Sequence, residues 1–254
     1  MTQVATYPSL NGKTVVVTGG GSGIGEAIVT QFARQGCKVG FLDIAEDASN
    51  ALVASLQAEG LEAMFVQADL TDIAATVAAI DTIRAAYGPI GVLVNNAAHD
   101  QRHALEDITP DYFDDSIAVN VKHQLFASQA VMEDMKTLGG GAIICMGSTS
   151  WMLGQGGMAC YTAAKSAVLG LMRSLARDLG PYNIRVNSIA PGWIMTERQK
   201  TLWLTPEAEA ELMKQQCLKR HLVPDDIAKT VLFFCSDDAG ACTNQSYIVD
   251  GGWC

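Results

Sequence analysis

The chain has 254 residues, 49% of them hydrophobic and only seven of them proline, which is long enough for one α/β domain with a sizeable core and excludes a disordered chain. Its formal net charge of -10 and pI near 4.7 exclude nucleic acid and anionic membrane surfaces as natural partners. Seven cysteines include no Cys-x-x-Cys pair and no Cys/His cluster at metal spacing, which predicts small buried thiols, a reducing compartment and no metal site.

The opening residues MTQVATYPSLNGK have neither the charged nor the apolar region of a signal peptide, and no apolar run reaches the ~18 residues of a membrane span, so a cytoplasmic protein is expected. Residues 13–18 (KTVVVT) are a β-branched run that reads as a strand. It feeds into Gly19-Gly20-Gly21-Ser22-Gly23-Ile24-Gly25 and a helix to about residue 35, with Ile24, Ile28 and Phe32 as its inner stripe. Glycines here permit a tight turn and let backbone N–H groups approach a pyrophosphate at the helix N-terminus. A bare glycine pattern also fits an ordinary βα turn; between a strand and a helix it reads as a dinucleotide site.

Residues 37–42 are a second strand, with Asp43 at its end, about 20 residues past the glycines. An acid there accepts hydrogen bonds from both hydroxyls of the adenine ribose and repels a 2′-phosphate. No Lys or Arg occurs between Gly19 and Gly25, so the expected cofactor is NAD and not NADP. A helix (45–58) and a strand (63–67) follow, and Asp69-Leu70 stands where a carboxylate could meet the adenine amino group. After a helix over 73–87 comes the strand 90–94, ending in Asn95-Asn96-Ala97-Ala98, small residues that let the backbone lie against a cofactor ribose. These repeated strand–helix units predict a single Rossmann-type, doubly wound parallel sheet with ligands at the carboxyl ends of its strands.

His99-Asp100-Gln101-Arg102-His103 puts five polar groups above the same sheet edge, either as a pocket rim or as a solvated loop. One helix is predicted over 110–135, with Asn120 in its middle, where an amide wants a partner. An inward Asn120 could hold a water that relays protons to Lys165. Residues 141–146 (GAIICM) form a buried strand, and Ser148 sits where it runs out. A glycine-rich loop leads to a helix unbroken until Gly180, its apolar positions at helical spacing. Tyr161 and Lys165, four residues apart near its start, share one face. A phenol titrates near pH 10 and is a poor base at neutrality. A cation about 4 Å away is worth up to roughly 4 kcal/mol, about three pKa units, so Lys165 is expected to bring Tyr161 near working pH. Ser148 then holds a substrate oxygen while Tyr161 exchanges its proton, and a hydride acceptor completes the reaction.

Residues 183–190 are a sixth strand, closed by Pro191-Gly192. The mixed segment at about 194–222 reads as a lid over the site. A helix over 224–236 and a strand over 245–249 precede the tail DGGWC. One domain spanning 1–254 is the simplest account.

Together, Thr18-Gly19-x-x-x-Gly23-x-Gly25, Asn95-Asn96-Ala97, Asn120, Ser148, Tyr161-x-x-x-Lys165 and Pro191-Gly192 resemble the short-chain dehydrogenase/reductase family, over nearly the whole chain. Ala98 departs from the family's usual glycine. The resemblance implies a seven-stranded sheet, a catalytic set of Asn120, Ser148, Tyr161 and Lys165, and usually a homotetramer. It also implies that Lys165 holds the nicotinamide ribose and that Ile194 and Thr196 meet the carboxamide. Several stretches, among them Asp100-Gln101-Arg102-His103, Ser148-Thr149-Ser150-Trp151 and the Asp250-Gly251-Gly252-Trp253 tail, are similar to NAD-dependent aldose (D-xylose-type) 1-dehydrogenases. That implies oxidation of an aldose at C1 to its lactone. Sugars want directed hydrogen bonds plus an aromatic face, which His99, Asp100, Trp151, Gln155, Trp193, Arg198 and Gln199 could supply beside Ser148 and Tyr161. The alternatives are a dehydrogenase or reductase of a sugar acid or 3-oxoacyl thioester, and an NAD-binding regulator without turnover.

Overall fold

The computed structural model describes residues 5–254; the first four residues of the expected domain lie outside that range. Seven strands form one parallel sheet: β1 (Thr14–Thr18), β2 (Lys38–Asp43), β3 (Ala63–Gln67), β4 (Ile90–Asn95), β5 (Gly141–Met146), β6 (Ile184–Pro191) and β7 (Ser246–Val249). Their order across the sheet is 3-2-1-4-5-6-7. All five residues of β1 are buried, as expected of a central strand covered on both faces.

The pleat sends alternate residues of β1 into two separate cores. Val15 and Val17 pack with Ile28 and Phe32 of α1 (Gly23–Arg34), Leu52 and Leu56 of α2 (Glu46–Ala58), and Val231 of a helix over 224–235. Val16 packs on the other face with Ile80 and Ile83 of α3 (Ile73–Tyr87) and with Val168 and Met172 further along the chain. The predicted inner stripe of α1 holds: Ile28 and Phe32 are fully buried and Ile24 packs at the edge of the same core.

The single helix predicted over 110–135 is two helices. α4 (Pro110–Ile117) and α5 (His123–Thr137) are joined by a π-helical turn, Ala118–Lys122, with Asn120 buried in it. The amide explains the break. Asn120 Nδ2 donates to the Ser116 carbonyl at 2.9 Å, which competes with the regular helical ladder, and π-turns recur at functional sites.

The remaining helices are α6 (Ala159–Leu179), α7 (Glu197–Leu202), α8 (Pro206–Gln215) and α9 (Pro224–Cys235). α7 and α8 stand in the excursion between β6 and α9. Each is started by a threonine: Thr196 and Thr205 accept from the backbone of Gln199 and Ala208. Strand order reverses direction between β1 and β4, and the crevice beyond their carboxyl ends is where such sheets bind ligands. No helix among the described residues is long and apolar enough to cross a membrane.

Candidate active site

Two adjoining hollows open beyond the carboxyl ends of the strands. The larger, of about 1370 Å³, runs along the glycine turn and is lined by Gly19, Ser22, Gly23, Ile24, Gly25, Asp43, Asp69, Leu70, Asn96, Ala97 and Thr196. The smaller, of about 400 Å³, is lined by Ser148, Tyr161, Lys165, Pro191, Ile194 and residues of the α7–α8 excursion. Ile24, Asn96, Ala98 and Thr196 line both.

The glycine turn is built for close approach. Gly19 and Gly23 have φ of +66° and +58°, in the left-handed region that favours glycine. A Cβ on Gly25 would overlap the Gly19 carbonyl. Ser22 precedes α1 without capping it, so the first N–H groups of that helix have no side-chain acceptor and face the groove. These features fit a dinucleotide pyrophosphate. Asp43 accepts from the Gly21 N–H at 2.8 Å and from the Ala45 N–H at 2.9 Å, which fixes its carboxylate at the groove's rim. Asp69 accepts from the Thr71 N–H and hydroxyl through one oxygen.

Asn96 does not offer its amide to the groove. Its Nδ2 donates to the Thr18 and Gly19 carbonyls, at 3.1 and 2.9 Å, while the Thr18 hydroxyl accepts from the Asn96 and Ala97 N–H groups. The loops after β1 and β4 are thereby stitched together. Thr196 turns its methyl toward Gly23 and its hydroxyl to the start of α7.

In the smaller cavity, Tyr161 lies in the first turn of α6 and Lys165 one turn on, beside the end of β5. Ser148 is buried, donates to the Ser150 hydroxyl at 3.0 Å and faces the phenol. Lys165 is 1% exposed and donates to the Met146 carbonyl at 2.8 Å. Its Nζ lies 5.7 Å from the centre of the Tyr161 ring. This corrects one expectation. Burial raises the Tyr161 phenol above its usual value, the Ser148 hydrogen bond offsets part of that, and Asp100 adds to it. The phenol is thus raised and not brought toward working pH, and the ammonium is engaged by a carbonyl. Burial instead lowers Lys165 itself to about 8.

Asn120 is corrected too. Its Oδ1 accepts from the His99 N–H at 3.0 Å and its Nδ2 donates to the His99 carbonyl at 3.2 Å, so the amide holds the loop after β4 and lines neither hollow. Among the substrate residues expected, Asp100, Gln155, Trp193 and Gln199 line the small cavity with Ser148 and Tyr161. His99 and Arg198 face the larger groove, and Trp151 lines neither. A hydrogen-bonded chain crosses the boundary: Trp193 Nε1 donates to Gln199, Gln199 Nε2 donates to Asp100 at 2.6 Å, and Arg198 Nε donates to the other Asp100 oxygen.

Arg102 of the expected rim stands in the cavity wall, and the structure adds Trp203, Glu211 and Trp253 to it. Three of the chain's four tryptophans therefore meet there. Trp253 is held by its tail. The Gly251 and Gly252 carbonyls accept from the Leu218 and Cys217 N–H groups, and Asp250 accepts from the Gly252 and Cys254 N–H groups. Among the described residues no group of His, Cys, Asp and Glu is arranged to hold a metal.

A family model described as enoyl-(acyl carrier protein) reductase matches residues 19–254. The chain is 48% identical to the D-xylose 1-dehydrogenase of Caulobacter vibrioides, over 98% of each chain. The chain belongs to the short-chain dehydrogenase/reductase family. It is 48% identical as well to a probable galactose dehydrogenase of Rhizobium meliloti, over 97% of this chain and 96% of that one. A solved 7 alpha-hydroxysteroid dehydrogenase, complexed with NADH and 7-oxo glycochenodeoxycholic acid, superposes with a TM-score of 0.92 at 35% identity, covering 97% of this chain and 96% of that one. As a short-chain dehydrogenase/reductase the chain is an oxidoreductase that works with a nicotinamide dinucleotide.

Burial of Lys165 as a cation opposes folding wherever the unfolded side chain is charged. Its folded pKa of about 8 lies below the usual 10.5, so the penalty is fully present below pH 8 and fades as pH rises to 10.5. Lys165→Met is expected to stabilise the fold at pH 7 by up to about 3 kcal/mol while abolishing turnover. Urea unfolding of both proteins at pH 7 and at pH 10.5 checks this; the gain should shrink at the higher pH.

Proposed function

We propose that this oxidoreductase is an NAD-dependent aldose 1-dehydrogenase, which oxidises a sugar at C1 to its lactone. The observation that carries the reading is the character of the cavity around Ser148 and Tyr161. Its volume of about 400 Å³ suits a monosaccharide. Three indoles contribute apolar wall, one of them carrying Arg102 on its face, and Asp100, Gln155 and Gln199 offer directed polar groups. Two carboxylates, Asp100 and Glu211, balance two cations, Arg102 and Lys165, so the wall favours a neutral ligand over a sugar acid. An acyl chain would meet charge where it wants an apolar tunnel. The two relatives at 48% identity are named for D-xylose and for galactose.

When bound in the groove, NAD supplies the acceptor for the hydride that leaves C1. Tyr161 takes the proton of the C1 hydroxyl as it releases its own, and Ser148 holds that oxygen in line. Lys165, poised near pH 8, takes the proton onward from the phenol. Asn120 positions the loop after β4 through the His99 backbone. The excursion at 194–222 acts as the lid, closed on that loop by the Asp100–Gln199–Trp193 chain. Seven free cysteines, four of them buried, fit a reducing cytoplasm.

With NAD present, purified protein should turn over one or more members of a pentose and hexose panel, faster at pH 9 than at about pH 7 because Lys165, which receives the proton from the phenol, must be uncharged to take it. Tyr161→Phe should lower kcat by about a hundredfold or more, with the dissociation constant for NAD unchanged. Wild-type turnover in that variant, or activity on keto acids alone, overturns the reading.

NAD is favoured over NADP because the Asp43 carboxylate, pinned by Gly21 and Ala45, stands where a 2′-phosphate would go. Asp43→Ala should narrow the ratio of kcat/KM between the two cofactors by about tenfold or more. A wild type that already prefers NADP would contradict this.

A homotetramer is proposed with the activity. Phe113 and Leu125 stay exposed on α4 and α5, and the edge strand β7 exposes Tyr247 and Ile248. Sedimentation equilibrium should give four times the 27.0 kDa chain mass; a monomer would refute it.

A further inference from the structure

Arg102, on the loop after β4, and Trp203, at the end of α7, come together in the cavity wall. The guanidinium carbon sits 4.1 Å above the centre of the indole. That stacking uses the faces of both groups and satisfies neither N–H edge. Arg102 Nε and Trp203 Nε1 are both buried, and neither has an acceptor among the described residues. Both groups can only donate. A buried donor with no acceptor is unfavourable, and two of them just behind the wall of one hollow point to a ligand whose entry shifts Trp203 with the lid and brings oxygen atoms to both. The nearest carboxylate along the loop, Asp100, is already engaged by Arg198 and Gln199.

We propose that Arg102 and Trp203 are specificity-determining residues, donating to hydroxyl or ring oxygens of the sugar other than the reacting one. This rests on the aldose reading. The C1 oxygen is taken by Ser148 and Tyr161, so the pair reads a different part of the ring. The balanced charge of the wall selects neutral oxygens as the acceptors. Because Trp203 belongs to the lid and Arg102 does not, a sugar that satisfies both donors also bridges the lid to the loop after β4.

Trp203→Phe keeps an aromatic platform under Arg102 and removes the indole N–H. Arg102→Met keeps the length of the stem and removes the donors. With saturating NAD, kcat/KM is measured for the best aldose and for its monodeoxy analogues, in the wild type and in both variants. Wild type should lose about tenfold or more on at least one analogue, because the missing oxygen leaves a donor unpaired. For that same analogue, one of the two variants should shrink the penalty to about twofold, with its KM for the parent sugar raised. A variant that had only loosened the fold would weaken every substrate equally and keep the penalties. Penalties unchanged in both variants, uniform weakening in both, or no penalty in the wild type each overturn the proposal while leaving the aldose reading intact. A wild type that oxidises no aldose overturns both.

Discussion

The site depends on one buried ammonium. Lys165 lies in the core of the sheet's end, and its hydrogen bond reaches the carbonyl of Met146, the last residue of β5. That contact ties the helix carrying Tyr161 to the strand that delivers Ser148. It is also the reason the charge can exist there: the carbonyl replaces one of the water contacts the ammonium has given up. Burial still wins, as the drop to about 8 records. The same lack of water leaves His123, close behind it, neutral and lowered to about 3, with the Lys165 charge adding to the effect. The protein therefore holds its proton-handling groups in a region that tolerates charge poorly, where small changes in local potential move protons.

The neighbouring groove is organised by hydrogen bonds among its own walls. Thr18, Gly19, Asn96 and Ala97 join the ends of β1 and β4, and Asp43 joins the end of β2 to the glycine turn. Three strand ends are thus locked to one another before any ligand arrives, which lowers the ordering cost of binding. α7, by contrast, is tied to the loop after β4 by side chains, Asp100 to Gln199 and Arg198 and Arg102 to Trp203, while the far end of the excursion is held by backbone bonds from Cys217 and Leu218 to the tail. The side-chain contacts break and re-form more easily than a buried backbone network, consistent with a rigid cofactor platform beneath a segment able to open.

The sheet and both hollows were legible in the sequence because each rests on local signals. The β-branched run before the glycines, Asp43 at the end of the next strand, and the Tyr161/Lys165 spacing each specify their own neighbourhood, and strands β3 and β5 run between the residues predicted. The failures concern what only tertiary contact decides. Residues 110–135 carry a helical pattern throughout, and the break goes with an Asn120 amide that bonds both the Ser116 carbonyl of its own turn and the backbone of His99, 21 positions away in the chain. Spacing showed that Lys165 is near Tyr161 but not that a carbonyl would engage its charge. Trp151 follows Ser148 closely and was expected in the cavity, yet the turn after β5 carries it elsewhere. Trp203 and Trp253 belong there, brought by segments about 50 residues apart. Their only sequence signal was aromatic type in otherwise polar stretches, which does not say where a ring will point.

The carboxyl end of the chain is a fastened strap. Its final residues hold the stretch after α8 through Cys217 and Leu218, clasp themselves through Asp250, and deliver Trp253 to the cavity wall. Cys254 itself contributes a backbone N–H to that clasp. Anything fused beyond it would start beside the cavity that Trp253 lines, so purification handles and reporter fusions belong at the opposite terminus.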